Sequence, residues 1–205
     1  STAPAIHGAF AVRSPMSDRP AEKRSLARPA LRAVPAFGDT KLGDTSRLVR
    51  KFLEPLDLPA EQRYLAWNAD VNGSERFTLN LTDLDGGRVL AEPIPDTLAS
   101  PVWTADSTQL LYVVVNEQWR PYQVRLHTIG TSPGDDWIVY EETDEAFFVN
   151  IDKTSSEAFL LITTGDHVTS EVRCLPAYDP KAEPRLFSQR RPGHEYSVDH
   201  GEGWF

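Results

Sequence analysis

The chain has almost no sulfur chemistry. It holds one cysteine, Cys174, in 205 residues, which excludes an internal disulfide and any thiolate-rich zinc site, and fits a reducing compartment. No apolar run approaches the roughly 18 residues that a membrane-spanning helix needs. The first fifty residues have no apolar core of the kind a secretory signal carries. Net positive charge is missing too: the formal charge is −9. An acidic body repels phosphate, so nucleic acid is not an expected partner. A hydrophobic content of 40% and a mean hydropathy of −0.40 describe a soluble globular chain, long enough for one domain of ordinary size.

The charge is unevenly spread. Residues 1–51 carry ten Lys/Arg against four Asp/Glu, net +6, whereas residues 52–205 carry eleven against twenty-six, net −15. Such asymmetry marks two kinds of sequence. Residues 1–50 are rich in Ala, Arg, Pro and Ser, and Pro4, Pro15, Pro20, Pro29 and Pro35 interrupt any long helix. The expectation there is an irregular or disordered basic leader. A targeting segment and a stretch not native to the fold remain as alternatives. Residues 51–205 are expected to form the folded domain.

From about Gln62 the pattern becomes one of short strands. Strands are expected at Arg63–Asn68, Phe77–Leu84 and Arg88–Ile94, with Asn72-Gly73 and Asp85-Gly86-Gly87 as turns. A full set follows at Ala99–Thr104, Gln109–Asn116, Tyr122–Ile129 and Asp136–Glu141. The order repeats at Ala146–Ile151, Ala158–Thr163, Ser170–Ala177 and Arg185–Ser188, and a further unit starts at Glu195–His200. Leading strands recur at about the 45-residue period of propeller blades. The expected fold is therefore all-β: a partial arc of about three blades, open at its C-terminal end. Repeat units need neighbours to bury their faces, so a fragment, or an arc covered by another chain, is expected.

The strings Asp70-Val71-Asn72-Gly73-Ser74-Glu75, Ser100 to Ser107, Arg120 to Thr131, Val139 to Asp144, Phe147, Thr169 to Val172 and Glu195 to His200 resemble, in order and spacing, the propeller of oligopeptidase-B-like members of the prolyl oligopeptidase family of serine peptidases. The likeness covers roughly residues 60–205. It implies a seven-bladed propeller capping an α/β-hydrolase domain, admission of short peptides, cleavage after Arg or Lys, and a cytoplasmic enzyme without a cofactor. The hydrolase domain and short basic peptides are the partners it implies. The family's Ser, Asp and His belong to the hydrolase part, with the Ser on a G-x-S-x-G elbow. No elbow and no catalytic residue is assigned to this chain.

Glu141, Glu142, Asp144 and Glu145 form the most concentrated acidic run. It reads either as a solvated interblade loop or, on the resemblance, as a mouth-region surface that cationic substrates pass. A metal site there is disfavoured, because EF-hand spacing and its glycine are missing. Asp199-His200 with nearby serines hints at a triad, but adjacency does not define one, and a structural polar pair is expected. His127 is expected to be a hydrogen-bonded structural residue. His167 and His194 have no partner at metal-ligand spacing, Cys174 is expected to be buried, and Arg190-Arg191-Pro192 reads as a salt-bridged turn or a contact to a second domain. Trp67, Trp103 and Trp137 are expected between blades. A stand-alone interaction module using a blade face or an edge strand is the alternative function. A metal-dependent hydrolase is the weaker third.

Overall fold

The computed structural model describes residues 63–205, apart from 71–75, 84–87, 91 and 99. The leader and the turns at Asn72-Gly73 and Asp85-Gly86-Gly87 lie outside the described residues. Among those described there is no α-helix. Twelve strands follow one another: β1 (Tyr64–Ala69), β2 (Phe77–Asp83), β3 (Arg88–Val89), β4 (Ile94–Thr97), β5 (Val102–Trp103), β6 (Gln109–Val115), β7 (Pro121–Thr128), β8 (Trp137–Glu141), β9 (Phe148–Lys153), β10 (Phe159–Gly165), β11 (Ser170–Pro176) and β12 (Arg185–Leu186). A single 3-10 turn, Pro133–Asp135, precedes β8.

These strands make three antiparallel blades. Blade 1 holds β1 to β4, blade 2 β5 to β8, and blade 3 β9 to β12 in the spatial order β12-β11-β10-β9. One bridge, Thr97 to Val114, joins β4 to β6 and makes the first two blades a continuous sheet. The same local chemistry builds blades 2 and 3. Thr104 and Thr154 each close a turn in which the threonine amide and hydroxyl both donate to the carbonyl five residues on, Gln109 or Phe159. Each turn has one residue at positive φ, Ser107 at 56° and Glu157 at 58°. A polar side chain, Asp106 or Ser156, accepts from the amide two residues later. The hairpins opposite repeat as well: Asn116 and Asp166 accept backbone amides and fix their turns.

The alternation of the strands supplies the packing. Val124 and Leu126 on β7, with Leu111 and Val113 on β6, face Val149, Ile151, Leu160, Ile162 and Leu175 of blade 3. On the other side, Leu110 and Tyr112 meet Leu79, Leu81 and Ile94 of blade 1. Each sheet thus buries apolar side chains on the face its neighbour covers.

Three expectations need correction. Arg88–Ile94 is not one strand but splits into β3 and β4; Pro93 and Pro95 offer no amide to a continuous ladder. Glu195–His200 forms no strand. Tyr196 exchanges hydrogen bonds with the Ser170 hydroxyl instead of a backbone ladder, while its ring and Val198 lie on Leu161, Val172 and Cys174 of blade 3. Trp137 does not fill a gap between blades: it opens the outer strand of blade 2 and is 57% exposed. Trp103 does pack at the seam of blades 1 and 2.

Truncating Leu160 to alanine at the dry seam should destabilise the chain by roughly 3 kcal/mol, while Ile138→Ala on the outer strand should change stability by less than about 0.5 kcal/mol. Urea titrations of the two variants check this; equal losses would contradict the seam as the core.

Candidate functional site

The acidic run lies where β8 ends and the chain crosses to blade 3. Its four carboxylates do not converge. Glu142 turns inward, with a side chain only 6% exposed. The Arg190 guanidinium pairs with it at 2.5 Å, the Tyr140 hydroxyl donates to it at 3.0 Å, and the Asp144 amide donates at 2.9 Å. Burial opposes ionisation of Glu142, but the Arg190, Asp144 and Tyr140 hydrogen bonds outweigh it and hold the carboxyl below its ordinary range.

Arg190 is the hub of the seam. It stacks on the Phe147 ring at 3.6 Å from the centroid, donates to the Thr164 hydroxyl at 3.1 Å, and stands 3.6 Å from Glu171. Its amide donates to the other Glu171 oxygen at 3.0 Å. Arg173 pairs with Glu171 and lies over the Tyr140 ring at 4.6 Å. Arg190, Phe147, Thr164 and Glu171 are brought to Glu142 from separate elements. Their separation in sequence leaves no local signal of the cluster beyond the reading of Arg190 as salt-bridged.

Glu141, Asp144 and Glu145 remain exposed. Glu141 accepts from the Gln123 amide at 2.5 Å. The Arg120 guanidinium fixes the loop from below, donating to the carbonyls of Glu142, Asp144 and Phe147 at 3.2, 3.0 and 3.1 Å. Among the described residues no group of three or more His, Cys, Asp or Glu is placed to hold a metal ion.

The remaining candidates take structural places. The His200 imidazole Nδ1 sits 2.7 Å from the Ser156 hydroxyl, but the Asp199 carboxylate holds Ser155 instead of the imidazole. The pair therefore pins the segment after blade 3 to the turn before β10. One string, Gly130-Thr131-Ser132-Pro133-Gly134, spells G-x-S-x-G. It is a surface connection from β7 to β8 that closes a 3-10 turn, not a strand-to-helix elbow. His127, close by in sequence, is fully buried and pairs through Nδ1 with Asp136 at 2.8 Å. Tyr112 donates to the same carboxylate at 2.8 Å, and burial together with that carboxylate pushes the Tyr112 phenol up. His127 Nε2, the atom that would take a serine proton in a triad, has no hydrogen-bond partner. Cys174 is buried on blade 3, and burial pushes its thiol up, which disfavours the reactive thiolate.

The blade geometry and the comparisons agree. The family described as prolyl oligopeptidase, N-terminal beta-propeller domain, matches residues 51–205. The chain belongs to this family. A dipeptidyl aminopeptidase BI from Pseudoxanthomonas mexicana is 32% identical over 153 residues, which cover 72% of this chain and 21% of that protein. Protease 2 from Moraxella lacunata is 29% identical over 140 residues, covering 67% and 20%. Oligopeptidase B from Leishmania major superposes with a TM-score of 0.66 at 24% identity, over 80% of this chain and 25% of that one. The chain thus spans about a fifth of the length of the curated family members it matches. No described helix is long and apolar enough to cross a membrane.

Glu142→Gln should cost about 2 kcal/mol at neutral pH, because Arg190 loses a charged hydrogen-bond partner at a half-closed seam. The folded-state value of Glu142 lies below its unfolded one. Its contribution is therefore complete above the ordinary glutamate value, about 4.3, and is lost as the pH falls through the lower folded value. Urea melts at pH 7 and pH 3 should show the gap between wild type and variant closing at the lower pH. A gap of equal size at both would assign the loss to packing.

Proposed function

We propose that this chain is the propeller portion of an oligopeptidase-B-like serine endopeptidase, whose α/β-hydrolase domain cleaves short peptides after Arg or Lys in the cytoplasm. The propeller's part is to gate access. The observation that carries this reading is the family match along the blades, which spans about a fifth of the matched relatives. Among the described residues the one serine–imidazole contact, Ser156 with His200, has no carboxylate on the imidazole, because Asp199 holds Ser155 instead.

Selection at the gate has two parts. A stack of blades with dry seams excludes folded proteins by size. The rim at the end of β8 presents Glu141, Asp144 and Glu145 to solvent, and a carboxylate surface concentrates cationic peptides while slowing their escape. Such attraction works over about a Debye length, near 8 Å at physiological salt.

Two outcomes are expected. The purified chain alone should not hydrolyse an arginine ester, and turnover sensitive to a serine-directed inhibitor would overturn the reading. In the enzyme that carries the hydrolase domain, Glu141→Gln, Asp144→Asn and Glu145→Gln combined should raise KM for dibasic peptides several-fold at low salt. They should leave kcat unchanged, and the difference should vanish near about 1 M salt, where the Debye length is about 3 Å. A salt-independent KM would remove the electrostatic part of the proposal.

A further inference from the structure

The seam between blades 2 and 3 contains every element of a receptor for an arginine side chain, and an arginine already sits in it. Two buried carboxylates face it, Glu142 and Glu171, with side chains only 6% and 8% exposed, and the more exposed Asp144 stands 3.9 Å from the guanidinium. The Phe147 ring supplies a flat stacking surface under the guanidinium. The Thr164 hydroxyl accepts a further N–H. Planar stacking combined with a fork of donors is a guanidinium's signature, which an ammonium cannot reproduce.

The walls and the occupant come from different parts of the fold. Glu142 follows β8, Phe147 precedes β9, Thr164 is on β10 and Glu171 on β11. Two belong to strands of blade 3 and two to the loop that joins blades 2 and 3. Arg190 belongs to the irregular stretch after β12, outside any strand. That stretch is held by a few bonds, among them Phe187 N–H to the Val172 carbonyl, Ser170 N–H to the His194 carbonyl and Gly193 N–H to the Thr169 hydroxyl. The walls therefore do not depend on Arg190 for their backbone. Arg173 stays paired with Glu171, so without Arg190 the buried Glu142 and the more exposed Asp144 are left without a guanidinium partner, and the site keeps a net negative charge that favours a cation. The present occupant also fits imperfectly, since its Nε is buried with no partner.

We propose that Glu142, Glu171, Phe147 and Thr164 form an arginine-side-chain site that Arg190 occupies in cis, and that this occupancy closes the site to arginine side chains of peptides. Arg190 is then an autoinhibitory plug at the acidic rim. The inference is independent of where the peptidase cleaves, because it concerns binding to the propeller.

The test uses the full chain carrying Arg190→Ala, with ethylguanidinium as the probe. R190A should melt below wild type, and millimolar ethylguanidinium should restore at least half of the lost Tm. Ethylammonium at the same ionic strength should restore little. Wild type should not respond, and the double variant R190A/E142Q should show no restoration. Equal rescue by ethylammonium, undiminished rescue in the double variant, or no rescue at all overturns the site. If R190A does not fold unaided, the same comparison is read as folded protein recovered on refolding with each cation, and equal recoveries overturn it in the same way.

Discussion

Everything in this structure follows from one constraint: a four-stranded antiparallel blade has two faces, and water must be kept from both. Blade 2 shows the solution in full. Its β6 and β7 send Leu111, Val113, Val124 and Leu126 to one neighbour and Leu110 and Tyr112 to the other. Neither set is buried by the blade itself. Cooperativity therefore runs along the stack, as in other repeat architectures. The face of blade 3 turned away from blade 2 shows the same demand. There Leu161, Val172 and Cys174 are covered by the extended run through Tyr196 and Val198, which uses side-chain hydrogen bonds where another blade would offer a hydrophobic sheet.

The dry seam also explains where charge is tolerated. Ten buried residues without an ionisable side chain make up the centre of the contact between blades 2 and 3. Arg190, Glu142, Glu171 and Arg173 lie at its end, the arginines partly exposed and the carboxylates buried in ion pairs with them. At the centre the same charges would pay the desolvation penalty of burial without a compensating gain over apolar packing. At the rim, water relieves part of that penalty, and the pairs fix how the two blades meet. The buried His127–Asp136–Tyr112 cluster is the exception. It lies on the β7 face opposite Val124 and Leu126, where strand alternation places Gln123, Arg125 and His127, and it answers the exception by internal hydrogen bonds.

Much of the fold was legible because its signals are local. The dense run Leu110 to Val115 and the alternation of β7 depend on neighbours one and two residues away. Both are short-range chemistry. Legibility failed where a segment's partner decides its state. Glu195–His200 has strand-like composition, yet the Tyr196 backbone meets the Ser170 hydroxyl, the Asp199 carboxylate takes Ser155, and the His200 carbonyl takes the Ser156 amide, so no ladder forms. Pro93 and Pro95 were visible, but that they would divide a strand into β3 and β4 depended on pairing with β2 and β6. Trp137 looked like core because tryptophan usually is; its place on an outer strand is a property of the stack.

The acidic run illustrates the same limit at the level of the site. In sequence, Glu141, Glu142, Asp144 and Glu145 are equivalent neighbours. Strand alternation at the end of β8 separates Glu141 from Glu142, and the Asp144 amide then caps the inward carboxylate. Arg120 locks the resulting loop through three carbonyls, so its positive charge is engaged with the backbone beneath the surface while three carboxylates stay above it. Arg76 does the same at the preceding hairpin, donating to the carbonyls of Asn116 and Glu117 and lying over Trp119. Arginines are thus drawn inward as clamps for the loops that connect strands and blades, because five donors suit several carbonyls at once. Glu141, Asp144 and Glu145 have no such use for backbone oxygens and remain outside. The acidity of this rim is in that sense a by-product of how the loops are held, and any attraction of cationic peptides would exploit a surface that the packing of the blades had already produced.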